Sequence, residues 1–247
     1  MGNERLRSCI AAAQLTVDDV AARVSVDRKT VERWIATDRL PHRRHREAVA
    51  TLLRTEETYL WPKLFGDQRV RTTSEAEFVT FYPSRSAVPD TLWHALIDGA
   101  NEHLDVLVYS GLFLPDGYPD VAQKFISKAE DGASVRLLLG DPTSDAVRLR
   151  GEEEGIGESM AARIQLSLMY LRPALKAPGV EMRFHETTLY NSIYRFDVDM
   201  LVNAHTYAAP AAQSPVLHLR QLPGGRLFRH YLASFDHVWE QAKPATA

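Results

Sequence analysis

The sequence predicts an all-α N-terminal domain followed by an α/β domain with a mixed sheet. Residues 1–55 carry only helix-type apolar spacing, whereas from residue 78 short apolar strands alternate with amphipathic helices. The last strands follow one another as hairpins, which adds antiparallel pairing to a parallel start. Charge divides at the same place. Residues 1–55 hold 11 Lys/Arg against 7 Asp/Glu, or +4; from totals of 29 and 32 the rest hold 18 against 25, or −7. A basic head on an acidic body suits only the head to a polyanion.

The head reads as follows. ERLRSCIAAA (4–13) is helical by composition. Thr16 with Asp19 three residues on is a capping-box pattern that opens a helix over 17–23. VSV (24–26) is a tight turn, and Asp27 is a good N-cap for DRKTVERWIA. Val31, Trp34 and Ile35 share one face of that helix, while Arg28, Lys29, Glu32 and Arg33 share the other. Val20, Val24, Val26, Val31 and Trp34 form a common core, with small Ala21 at the helix crossing. A further helix spans 44–55. TEETYLWPKLF then offers Tyr59, Leu60, Trp61, Leu64 and Phe65, too apolar for a free linker, so it should dock on a domain or across a dimer. GDQRVRTTSEAE (66–77) is the better boundary.

In the body, strands are expected at 78–82, 104–110, 134–140, 180–186, 191–199, 200–207 and 215–221. Helices are expected at 89–103, 119–133, 157–175 and 228–242. LDVLVYS and SVRLLLG are nearly continuous apolar runs, as in strands covered on both faces.

Bulk composition excludes several classes. Apolar residues make up 45%, enough for a packed core. A single cysteine, Cys9, allows no disulfide framework or cysteine zinc site within one chain. No apolar run reaches the roughly 18 residues that span a bilayer, and the first residues lack a signal-peptide core. The expectation is a cytoplasmic, nucleoid-associated protein without membrane, metal or cofactor.

The spacing of 16–35 resembles the helix-turn-helix of Cro/repressor-class (XRE-like) regulators, with TVERWIATDRLP similar to their recognition helix and its exit. Ser25 stands where those proteins usually have glycine. The resemblance implies double-stranded DNA as partner. Arg28, Lys29, Thr30, Glu32 and Arg33 then face the major groove, where Arg and Lys pair with guanine. Arg43 and Arg44 of PHRRHR (41–46), with Arg46, form a phosphate-holding flank. Glu32 either accepts from cytosine or pairs with a neighbouring Arg.

The body's element order resembles one half of the phospholipase D-like fold. That family carries H-x-K-x4-D and, seven residues past the Asp, G-S-x-N. On LYNSIYRFDVDMLVNAHTY (189–207) the intervals fit: Tyr190, Ser192 and Asp197 take the His, Lys and Asp positions, and Ala204, His205 and Tyr207 take Gly, Ser and Asn. Only Asp197 matches in identity. In the family histidine attacks phosphorus and lysine holds the phosphate; tyrosine is a poor nucleophile and serine carries no charge. No catalytic residue is assigned, and the family's reaction is expected to be lost. The resemblance also implies pairing of two halves, hence a homodimer. The two-domain layout, LWP after the head and the ending FDHVWEQAKP are similar to actinobacterial-type regulators.

Tyr109, Ser110, Tyr190, Ser192, Asp197, Asn203, His205 and Tyr207 are candidates for a pocket taking a small polar or phosphate-containing effector. Asp197 is equally readable as a backbone acceptor. GDPTSD, GEEEG and the His94/His103 pair are better read as loop, solvated acid and unrelated surface residues. The expected organisation is a helix-turn-helix domain at 1–55, a connecting helix and linker at 56–77, and a sensor/dimerisation domain at 78–247. The rival function is a DNA-targeted phosphodiesterase or nuclease; a third is a pure assembly module.

Overall fold

A computed structural model describes residues 2–37, 39–62 and 75–245. The chain divides into two compact units, Met1–Arg71 and Thr72–Ala247. Leu64, Phe65 and the 66–74 part of the expected boundary lie outside the described residues.

The first unit is helical: α1 (Glu4–Ala12), α2 (Val17–Arg23), α3 (Arg28–Thr37), α4 (Arg43–Leu52) and the short α5 (Glu57–Leu60). The Thr16 hydroxyl accepts from the Asp19 N–H while the Asp19 carboxylate accepts from the Thr16 N–H, so both ends of the capping box form. Ser25 adopts φ +55° in the α2–α3 turn. That left-handed conformation explains why glycine is usual there and costs serine about 1 kcal/mol. Leu6, Val20 and Val31 are fully buried with Trp34 between the helices.

Leu60 and Trp61 join this same core, so α5 docks on the head and closes it. Asn3, itself buried, accepts from the Leu6 N–H and donates to the Leu60 carbonyl, tying both ends of the unit together.

The second unit is built on an eight-stranded sheet in the order β1-β7-β6-β5-β2-β3-β4-β8. The strands are β1 (Phe78–Tyr82), β2 (His103–Leu107), β3 (Ser134–Gly140), β4 (Val180–His185), β5 (Asn191–Phe196), β6 (Asp199–Ala204), β7 (Val216–Arg220) and β8 (Lys243–Pro244). Only β2–β3 and β3–β4 are parallel, so the sheet is mixed. Helices α6 (Asp90–Gly99), α7 (Phe113–Gly117), α8 (Val121–Glu130), α9 (Asp145–Glu153), α10 (Ser159–Leu171) and α11 (Leu227–Gln241) complete the unit. The one-turn α7 lies in a segment read from the sequence as a loop, and α9 extends the at least one helical turn expected within the polar DPTSDAVRLRGEEEG; neither FLPDG nor DAVRLRGEE has a sustained apolar stripe.

Glu77 opens this unit and is fully buried. Its carboxylate accepts from the N–H groups of Arg226, Leu227 and Phe228 at 2.9, 2.9 and 3.1 Å, satisfying the start of α11. A side chain at Gly225 would collide with that carboxylate, which accounts for the glycine.

The central strands carry one buried ionic cluster. Asp105 on β2 is fully buried and accepts two bonds from Arg136 on β3, at 2.7 and 2.9 Å, and a third from Arg195 on β5, at 3.1 Å. Arg136 also reaches Asp236 on α11 at 2.9 Å and lies over the Phe235 ring. We expect Asp105→Asn to lower unfolding free energy by roughly 3–5 kcal/mol, because it strands the Arg195 guanidinium without a counter-charge and leaves Arg136 only Asp236. Urea denaturation at unchanged slope measures this; a loss below about 1 kcal/mol would refute the cluster's structural weight.

Candidate functional site

Two surfaces carry functional side chains, one in each unit. In the head, α3 buries Val31, Trp34 and Ile35 and therefore turns Arg28, Lys29, Glu32 and Arg33 to solvent, with Thr30 half-buried at the edge. Arg28 is not free: it donates to Glu32 at 2.8 Å and to Asp18 at 3.0 Å. Glu32 thus pairs within its own helix, the second of its two sequence readings. Lys29 and Arg33 have no side-chain partner among the described residues.

In the flank, Arg43 pairs with Glu47 at 2.7 Å and Arg44 meets His45 at 3.1 Å, all on the surface. Arg46 departs from the expectation. It is partly buried and bonds Glu57 and the Pro41 carbonyl, so it fastens α4 to α5 and is not presented for phosphate contact. Three arginines in the first turn of α4 oppose the helix dipole. His42 provides no side-chain cap there. Local helix stability therefore does not explain them.

In the body, a cavity of about 90 Å³ opens at the carboxyl end of β2. Of the eight residues the sequence nominates, Tyr109, Ser110, Ser192 and His205 line it. Sheet register explains why the others do not. Asp105 pairs with Arg195 and Leu107 with Ile193 across β2–β5, so Ser192 sits at the carboxyl end of β2 and Asp197 at its amino end. The five intervening steps span about 17 Å.

Asp197 is a backbone acceptor. At φ +52° in the β5–β6 turn, it receives the N–H groups of Asn101, Glu102 and His103 at 2.8, 2.8 and 2.7 Å. Partial burial opposes its charge, but these donors outweigh that and hold the carboxyl below the usual range. Asn203 is buried and donates to the Ser214 and Pro215 carbonyls, fixing the β7 approach; it does not reach the cavity wall. Tyr190 and Tyr207 are 83% and 78% exposed, outside the cavity.

The cavity's polar centre is a Ser192–His205 pair. Ser192 Oγ lies 2.9 Å from His205 Nε2, and His205 Nδ1 lies 3.1 Å from the Leu189 carbonyl. A carbonyl only accepts, so Nδ1 carries the proton and Nε2 accepts from the serine hydroxyl. Tyr109 stacks on the imidazole at 5.7 Å and its hydroxyl receives the Leu189 N–H. Burial, then the nearby Arg150 charge, pushes the His205 pKa down to about 4. The ring is neutral and weakly basic, a hydrogen-bonding wall ill suited to deprotonating serine at neutral pH. Gly111 at φ +62° forms part of the rim, where a side chain would press on Val108.

Sequence reasoning missed Arg85, Arg163 and Tyr194, which also line the cavity. Arg85 precedes α6 in a short turn whose N–H donates to the Ser214 carbonyl, and its guanidinium lies over Phe113. Arg163 stands on α10. Neither belongs to a local motif: Arg163 lies in the helix expected at 157–175, and Arg85 lies between the strand expected at 78–82 and the helix expected at 89–103.

Because His205 stays neutral in the native state while an unfolded histidine protonates near 6.5, acid favours unfolding between those values. We expect native stability to fall as pH drops from about 6.5 to about 4, with His205 contributing on the order of 3 kcal/mol. Part of that slope should vanish in His205→Asn, followed by urea midpoints across the window. Parallel curves for the two proteins would exclude a buried neutral His205.

Among the described residues no helix is long and apolar enough to cross a membrane, and no three metal-ligating side chains cluster. No curated protein matches the sequence. Solved structures that match include TrmBL2, an archaeal chromatin protein whose structure shows a novel mode of DNA binding, at 12% identity and a TM-score of 0.43. The alignment covers 81% of this chain and 60% of that one. Residues 75–246 match the model of the family described as domain of unknown function DUF5919, and the chain belongs to that family.

Proposed function

We propose that the chain is a sequence-specific DNA-binding transcriptional regulator. The XRE-like helix-turn-helix reads a double-stranded operator. The C-terminal domain, a catalytically degenerate phospholipase D-like half, pairs two copies and takes a small effector. One observation carries the reading. Lys29 and Arg33 stand exposed, with no side-chain partner among the described residues, on the outer face of a helix whose inner face packs against the core. Arg43 and Arg44 crowd an adjacent helix start that their charge does not stabilise. Pairing supplies the second half-site that a lone helix-turn-helix needs for affinity. Such a protein acts in the cytoplasm on the nucleoid.

The rival is a phosphodiesterase, favoured by the Ser192–His205 hydrogen bond. Tyr190 and Ser192 at the His and Lys positions, with a weakly basic His205, weigh against it, and we read the domain as non-enzymatic. A chromogenic phosphodiester should be turned over no faster than in buffer. Turnover abolished by His205→Asn would reverse this assignment.

For DNA, Lys29→Ala and Arg33→Ala should each weaken binding by about 1–3 kcal/mol, and a lost phosphate contact should reduce the salt slope by about one. Arg28→Ala should cost less, since Arg28 is engaged by Asp18 and Glu32. Anisotropy titrations at several salt concentrations measure all three. Unchanged affinity in the Lys29/Arg33 double variant would remove α3 as the reading helix.

A further inference from the structure

The cavity carries uncompensated positive charge. Arg85 and Arg163 both line it, and among the described residues neither guanidinium has a carboxylate partner. Glu154 lines it too, but both Arg150 Nε, at 2.8 Å, and Arg150 Nη2, at 2.7 Å, hold its carboxylate. His205 is neutral, and its neighbours Arg150, Arg85 and His185 all oppose its protonation. The Tyr109 hydroxyl oxygen accepts from the Leu189 N–H. Arg150 also meets Glu153 at 3.4 Å, so its one charge is shared by two carboxylates; Arg85, Arg163 and Arg150 against Glu153 and Glu154 leave one net positive charge around the cavity.

A second feature points to an occupant. Tyr194 is fully buried at the cavity wall, and its hydroxyl makes no close hydrogen bond. Arg85 and Ser192, both cavity residues, are near enough to act on it only at longer range, and the Ser192 hydroxyl is already given to His205. An orphaned buried hydroxyl costs about 1–3 kcal/mol, and phenylalanine would fill the same space without that cost. Packing alone gives no reason for the oxygen.

We propose that this cavity binds a small oxyanion group, a phosphoryl or a carboxylate, held by Arg85 and Arg163 with the Tyr194 hydroxyl as an additional donor. The cavity, about 90 Å³, has room for a group of a few heavy atoms. Arg favours such groups because its fork matches two oxygens at once. The inference rests on reading the C-terminal domain as the sensing part and names the chemistry it senses.

Thermal shift and calorimetry of the full chain, with phosphate, sulfate and acetate each against chloride at constant ionic strength, test it. We expect saturable stabilisation by at least one oxyanion and none by chloride. Phosphate and sulfate ahead of acetate would mark a phosphoryl effector, and the reverse order a carboxylate. Arg85→Gln with Arg163→Gln should weaken binding at least tenfold. Tyr194→Phe should also weaken it while leaving the melting temperature of the free protein unchanged or higher, an outcome that a purely structural tyrosine would not give. Equal responses to chloride and the oxyanions, or wild-type affinity in the arginine pair and in Tyr194→Phe, would overturn the proposal. DNA affinity measured on the same samples separates the two claims. Operator binding without anion binding removes only the site, whereas anion binding that leaves DNA affinity untouched removes only its sensing role.

Discussion

A single buried carboxylate organises the body. Asp105 sits among the buried Leu104, Val106 and Leu107 of β2, and an ionised carboxylate there is tolerable only when paired and fully hydrogen-bonded. Arg136 and Arg195 supply that from the strands on either side, and Asp236 extends the cluster to α11. A slip of one residue in β2–β5 would turn Asp105 and Arg195 to opposite faces, so the cluster fixes the register. That register in turn places Ser192 at one end of β2 and Asp197 at the other.

The β5–β6 hairpin consequently divides its labour. Its turn is structural, with Asp197 gathering three N–H groups at the start of β2. Its open end faces the cavity, where Ser192 and His205 share one hydrogen bond under the Tyr109 ring. The intervals of 189–207 resemble those of phospholipase D-like enzymes, yet the side chains at the cavity can hold a ligand better than they can attack one. His205 has lost its basicity to burial and to surrounding arginines.

The readable parts of the fold were those set by local chemistry. β1 and β3 follow from apolar runs, and α2 follows from the reciprocal Thr16–Asp19 cap. The left-handed turn at Ser25 was visible as a missing glycine. Less legible were features decided by tertiary pairing. The 191–199 strand was read through Asp197, but it stops at Phe196 because Asp197 turns left-handed to collect distant donors. The pocket was half seen: Ser192 and His205 announced themselves through spacing, while Arg85, Arg163 and Tyr194 converge only once the sheet is assembled. In the head, nothing local distinguished Arg46 from Arg43 and Arg44. Its role depends on Glu57, eleven residues away in a segment taken for a connector.

The head and the body thus hold their charges for different ends. Among the described residues of the body, the arginines of the central strands and of α9 meet carboxylates, whereas Arg85 and Arg163 at the cavity do not. In the head Lys29 and Arg33 are left to solvent on a helix that packing has already oriented. Genome-wide mapping of cross-linked DNA, with the Lys29→Ala/Arg33→Ala protein as control, tests that arrangement most directly. The account predicts narrow, discrete peaks sharing paired half-sites about one helical turn apart and lost in the double variant. Even coverage without a shared sequence, or peaks that persist in the double variant, would contradict it.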